Sequence, residues 1–281
     1  MMFEQSKINW YPGHMAKAQR LLLDQLRQVD LILEVCDARL PVSSRNPELV
    51  AMIRNKKHLL LMNKCDLAEA AATAQRVRLF RDQGVNVLSL EAHRLKKKEL
   101  ISKIDFLTRD LVEKNLAKGI RKTVKALVIG VPNVGKSTVI NHLRGNNIAK
   151  TGDLPGVTRA QQSVRITPYL ELLDTPGILP PRLDDQLAAQ KLCWIGIISD
   201  QVVDIYSLTC SLLEELKKKN PDQLQSRYHL QGLEGSGLEL IEAICRGRGW
   251  ILKGSEPDYD RCCRMVLDEF RAGLIGRITL E

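Results

Sequence analysis

The sequence predicts an α/β domain built on a mostly parallel sheet with helices on both faces, followed by a small all-helical domain. Three observations carry that reading. Strand-like and helix-like segments alternate from Val29 to about Gly177. The octapeptide Gly130-Val-Pro-Asn-Val-Gly-Lys-Ser137 sits between an apolar run and a helical pattern. After Pro176, Pro180 and Pro181 only helical periodicity remains. The division is therefore placed at residues 1–181, with a helical lead-in, and 182–281.

Taken in order, the strands are expected at Val29 to Cys36, His58 to Met62, Val85 to Leu88, Val124 to Ile129, Ser163 to Thr167 and Tyr169 to Leu173, with helices in the gaps. In the second domain, Leu208, Leu212 and Leu216 mark one apolar helix face. Leu238, Ile241 and Ile244 or Cys245 mark another, and Val266, Phe270 and Leu274 a third.

The octapeptide has every part of a phosphate-binding loop. Its glycines let backbone N–H groups face phosphate oxygens, Lys136 reaches the β- and γ-phosphates, and Ser137 offers a hydroxyl to Mg²⁺. Val131, Pro132, Asn133, Val134, Gly135 and Thr138 complete the contact set. By residue usage such a match arises by chance in about 1% of chains this long, so it outweighs the shorter motifs.

Asn63-Lys-Cys-Asp66 follows an apolar strand, which puts Asn63 and Asp66 at the carboxyl end of the sheet, where ligands of open α/β folds bind. A carboxylate there pairs with guanine N1–H and N2–H₂ but finds no matching donors on adenine. Lys64 is expected to pack along the nucleotide. Ser89-Leu-Glu-Ala92, through Ser89, Glu91 and Ala92, is either the remaining base-contact loop or a plain strand end. Of two Asp-x-x-Gly matches, Asp174-Thr-Pro-Gly177 ends a strand and is preferred over Asp153-Leu-Pro-Gly156. Asp174 is expected to hold a Mg²⁺ water and the Gly177 N–H to approach the γ-phosphate. Thr158 is expected to be the second hydroxyl on the metal. The guanine tetrapeptide thus precedes the phosphate loop that it ordinarily follows, the mark of a circular permutation.

Composition limits the remaining possibilities. The chain is 44% hydrophobic and 27% charged over 281 residues, as a globular protein with ample core. No apolar stretch reaches the roughly 20 residues of a membrane span, and Met1 to Lys17 shows no export or transit signal. A cytoplasmic monomer is expected. Seven cysteines without a C-x-x-C pair fit reduced thiols. Residues 1–181 hold 29 Lys and Arg against 17 Asp and Glu, whereas residues 182–281 hold 13 against 16. That basic excess, with Lys96-Lys97-Lys98 in one run, points to a polyanionic partner such as structured RNA. Aromatics at 4% argue against reading single strands by stacking.

The permuted order, the opening Trp10-Tyr-Pro-Gly-His-Met-Ala-Lys-Ala18, the Asp37-Ala-Arg-Leu-Pro segment leading to Ser44-Arg-Asn-Pro47, and the tail from Asp258-Tyr-Asp-Arg261 to Gly276-Arg-Ile278 together resemble the ribosome biogenesis GTPase A family. The resemblance implies a GTPase that binds the precursor of the large ribosomal subunit and its rRNA, promotes late maturation, and hydrolyses GTP to GDP in order to leave. Ile178 stands where many GTPases carry a water-orienting glutamine. The resemblance assigns that role to His14, whose plain alternative is a surface residue at a helix start. It also gives Asn133 a K⁺ beside the phosphates, the alternative being a loop asparagine with local backbone bonds. Lys217 to Lys219, Arg246, Arg248, Arg261, Arg264, Arg271 and Arg277 are candidate RNA contacts. Two rivals stay open: a nucleotide-gated adaptor for a protein partner, and a GTPase acting on another structured RNA.

Overall fold

The computed structural model describes residues 22–145, 163–175, 177, 178 and 185–281. They fall into two compact units, one ending at residue 178 and one covering 185–280. In the first, helical residues 22–28 (α1) lead into β1 (Leu31–Asp37), α2 (Pro47–Met52), β2 (Lys57–Asn63), α3 (Ala70–Asp82), β3 (Val87–Ser89), α4 (Lys97–Leu116), β4 (Val124–Ile129), α5 (Lys136–Arg144), β5 (Ser163–Thr167) and β6 (Leu170–Asp174). The six strands line up as β3-β2-β1-β4-β6-β5, and only β5 runs antiparallel to its neighbour. All seven residues of β1 are buried, which requires cover on both faces of the sheet and accounts for apolar side chains on both; its two charged residues, Glu34 and Asp37, are buried in ion pairs.

Strands β4 and β5 occupy the expected residues, while three others begin later than expected. Asp30 closes the amino end of the sheet: its N–H donates to Lys125 C=O, and its carboxylate accepts from Lys125 N–H and pairs with Lys122. Val85 is drawn into the end of α3, where its N–H donates to Phe80 C=O past Gly84 in the left-handed conformation. Tyr169 lies in the β5–β6 turn, its N–H held by the Thr167 hydroxyl.

The second unit comprises α6 (Gln186–Trp194), α7 (Ile205–Lys219), α8 (Pro221–Tyr228), α9 (Gly237–Arg248) and α10 (Tyr259–Arg271). Leu208, Leu212 and Leu216 are buried as expected. Two apolar stripes need correction. Leu238 is exposed and Leu240 takes its place on the inner face of α9; Leu274 is exposed beyond the end of α10, and Leu267 and Ile275 are buried instead. Leu238 occupies the first turn after the Ser236–Glu239 capping box, one position off the buried stripe. Cys262 and Cys263 are buried free thiols.

Arg271, expected as an RNA contact, is engaged as an internal clamp. It donates to the carbonyls of Cys193 and Trp194 and forms a two-pronged pair with Asp200. Lys217 and Lys219 donate to the carbonyls of Gly235 and Leu280. Arg248 stacks over Tyr228 and, with Arg261, over Trp250. Arg246, Arg264 and Arg277 are exposed.

Candidate nucleotide site

Parallel pairing brings the carboxyl ends of five strands to one edge of the sheet. Ser89, Asn63, Asp37, Gly130 and Asp174 stand there in spatial order across β3, β2, β1, β4 and β6. The permutation changes the order of these strands along the chain but not the edge they share.

The loop from Gly130 to Lys136 is shaped by its glycines. A methyl group at Gly130 would lie 2.4 Å from the Val35 carbonyl oxygen, and one at Gly135 would lie 2.3 Å from Asn63 Nδ2. Both glycines, and Asn133, have positive φ. Gly135 caps α5 without a side chain, so the first N–H groups of the helix remain available to an anion, and Ser137 and Thr138 lie half-buried in that first turn. Val131, Pro132 and Val134 are buried beneath the loop.

Lys136 is buried, and its ammonium donates to the carbonyls of Val131 at 2.8 Å and Gly130 at 3.2 Å. Burial pulls its pKa down to about 8, against the opposing pull of nearby Asp174. Asp174 is itself pushed above the ordinary carboxylate range, by burial first, with Lys136 and the Thr175 N–H acting the other way. Its Oδ1 is buried and has no hydrogen-bond partner among the described residues. A buried oxygen of this kind is costly unless a ligand satisfies it.

Asn63 has a structural task beyond base contact. Its Nδ2 donates to Val134 C=O at 2.8 Å and its Oδ1 accepts from Ala92 N–H at 2.9 Å, so one side chain ties the phosphate loop to the base loop. One amide hydrogen and one lone pair remain for a ligand. Ala92, expected as a base contact, is buried and supports Asn63; Ser89 is exposed and Glu91 pairs with Arg94. Asp66 is half-buried at the same edge. The Lys64 ammonium, expected along the nucleotide, donates to Asn133 C=O at 2.8 Å and pairs with Asp37 at 3.1 Å, leaving its stem to flank a ligand.

Asp37 and Arg39 were legible only as a motif without a role. Asp37 accepts from the Arg39 backbone N–H, Nε and Nη2, and both residues are almost fully buried. Burial pushes the Asp37 carboxyl up, but the charges of Arg39 and Lys64 and these hydrogen bonds outweigh it and hold it well below the usual range.

Beyond Asp174, the Thr175 hydroxyl donates to Val128 C=O at 2.7 Å. A methyl group at Gly177 would lie 2.6 Å from Pro132 N and 3.0 Å from Lys136 Nζ, so Gly177 lies against the phosphate loop. The structure thus brings together Asn63, Lys64, Asp66, Asn133, Lys136, Ser137, Asp174 and Gly177. His14 and Thr158 lie outside the described residues.

A family model described as "50S ribosome-binding GTPase" matches residues 125–226. Over 276 residues the chain is 41% identical to ribosome biogenesis GTPase A of Bacillus cereus, covering 98% of this chain and 93% of that one. The chain belongs to the ribosome biogenesis GTPase A family. As a member it is a GTP hydrolase, and the permuted order of its motifs is that of the family. It is 33% identical to mitochondrial ribosome-associated GTPase 1 of Mus musculus, over 97% of this chain and 89% of that one. The GDP-bound structure of YlqF from T. maritima superposes with a TM-score of 0.68 at 28% identity, covering 93% of this chain and 98% of that one.

Proposed function

We propose that this GTPase binds the precursor of the large ribosomal subunit, promotes its late maturation, and hydrolyses GTP when the ribosome stimulates it, with help from K⁺. The observation that carries the nucleotide chemistry is the buried Asp174 Oδ1, unsatisfied among the described residues, beside the buried Lys136. The ribosomal partner is supported by the names of the relatives and by the basic excess of residues 1–181.

The residues present fit Mg²⁺: a carboxylate oxygen at Asp174 without a donor among the described residues, and the Ser137 hydroxyl in the first turn of α5. Thr158 would complete the protein ligands. Mg²⁺, when bound, neutralises charge on the phosphate oxygens. Asn133, through its carboxamide oxygen, is the residue that would hold K⁺. Lys136 binds the β- and γ-phosphates by exchanging its loop carbonyl acceptors for phosphate oxygens. Asp66 accepts the guanine donors, and the Gly177 N–H meets the γ-phosphate. Since Ile178 has no polar atom on its side chain, His14 orients the attacking water. Residues 182–281 form an RNA-contacting domain, with Arg246, Arg264 and Arg277 among its exposed cations. The working state is a cytoplasmic monomer.

The test is GTP hydrolysis by the wild type and by His14→Ala, with and without purified large subunits, in K⁺ and in Na⁺ buffer. The reading expects subunits to accelerate the wild type more in K⁺, and His14→Ala to bind GTP yet lose the acceleration. Subunits that change nothing for either protein would favour the adaptor reading.

A further inference from the structure

Asn46 is almost fully buried between two tasks. Its Oδ1 caps α2, accepting from Glu48 N–H at 2.9 Å and Leu49 N–H at 3.4 Å. Its Nδ2 crosses 132 positions of sequence to donate to Ile178 C=O at 3.2 Å. Ile178 is held from the other side as well, its N–H donating to Gly130 C=O at 3.3 Å. Its side chain is only 5% exposed.

The turn that presents Asn46 is itself fixed to β1. Asp37 N–H donates to Ser44 Oγ at 2.9 Å, and Arg45 makes a two-pronged pair with buried Glu34, both bonds at 2.8 Å. Arg45 also stacks over Phe80. With Asn46 anchored through β1 and α2, the more adjustable member of the Asn46–Ile178 bond is the segment that carries Gly177.

We infer that Asn46 is a positioning residue for hydrolysis: it holds the Ile178 C=O while Gly130 C=O holds the Ile178 N–H, and together they fix the residue after Gly177 and so the backbone of Gly177 beside Lys136. The inference rests on the nucleotide reading above and assigns the job to a backbone clamp. The buried Ile178 side chain serves as a plug, and its peptide is the part that is aimed. Preorganised donors of this type act on the transition state rather than on ground-state binding.

Two variants separate positioning from mere support of the fold. Asn46→Asp and Asn46→Ser both keep an oxygen that caps α2. The first places an acceptor against Ile178 C=O, and the second is too short to reach it. Each full-length variant is assayed for melting temperature, for GDP and non-hydrolysable GTP-analogue affinity, and for hydrolysis with large subunits. GDP affinity is expected within about twofold of wild type, and kcat about tenfold lower, the scale of one lost hydrogen bond. Asn46→Asp should fall further than Asn46→Ser. Wild-type kcat in both variants would overturn the inference. So would melting temperature and both affinities falling together, since that is the mark of a structural tether. If the wild type itself binds no GTP, the nucleotide reading fails first and takes the inference with it.

Discussion

Lys64 and Asn133 are joined by a 2.8 Å hydrogen bond from ammonium to backbone carbonyl, and both residues have positive φ. This bond, with Asn63 to Val134, couples the segment that would read the base to the loop that would hold the phosphates. Lys64 keeps its place because Asp37 anchors it from below, while Arg39 saturates the rest of that carboxylate.

Asp37→Asn removes the negative member of a buried cluster that also contains two cations. The expected cost is about 3 kcal/mol or more of unfolding free energy, since an uncompensated buried guanidinium remains. Urea denaturation measures it. The wild type carries a matching pH signature. The folded Asp37 pKa lies below its unfolded value of about 3.9, so its stabilisation is present above that pH and is lost as pH falls further. Asp37→Asn should flatten this part of the acid limb.

Gly135→Ala should damage nucleotide binding more than stability. The new methyl group would lie 2.3 Å from Asn63 Nδ2 at a φ of 99°, so either the loop or the Asn63 bridge must shift. Destabilisation of about 1–3 kcal/mol is expected from the strained backbone. Titration with a fluorescent GDP should show at least about a tenfold loss of affinity, and unchanged affinity would refute the bridge's role.

Lys136, with a pKa of about 8 in the free protein, makes nucleotide binding dependent on protons. Phosphates favour the charged form, so above about pH 8 binding should draw one proton from solution and affinity should decline. Calorimetry in two buffers of different ionisation enthalpy measures that uptake. For stability the sign is opposite: the unfolded lysine holds its proton up to about pH 10.4, so unfolding becomes harder as pH rises from about 8 toward that value. Lys136→Met should abolish both dependences.

Arg271→Lys should not substitute for arginine. A single ammonium cannot reproduce the two-pronged Asp200 pair while reaching the carbonyls of Cys193 and Trp194. About 2 kcal/mol should be lost from the helical unit, as polar groups at the clamp go unpaired. Thermal unfolding followed by tryptophan fluorescence reports it through Trp194. The salt slope of ribosome binding should stay as in the wild type, because this guanidinium faces inward.

Patterns confined to a few neighbouring residues were the legible ones. Strands β4 and β5 could be placed from their own residues, and the glycine loop between β4 and α5 followed from its octapeptide. Where a distant partner decides, the sequence was mute. Asn46 stood in a quoted motif, but its task depends on Ile178, 132 positions away. Arg271 looked like one more basic residue of the tail, because nothing local indicates that Asp200 and two carbonyls surround it. The stripes at Leu238 and Leu274 failed at helix ends, where the chain leaves the regular period.

Of the described strands β1 is made first, but it ends up between β2 and β4. As the chain emerges from its own ribosome, β1, β2 and β3 can pair while the other side of β1 has nothing to pair with until β4 arrives. That open side is an apolar strand edge, the kind of surface that recruits wrong partners. The permutation therefore gives the nascent chain an interval of aggregation risk, one that closes when the phosphate-loop strand docks.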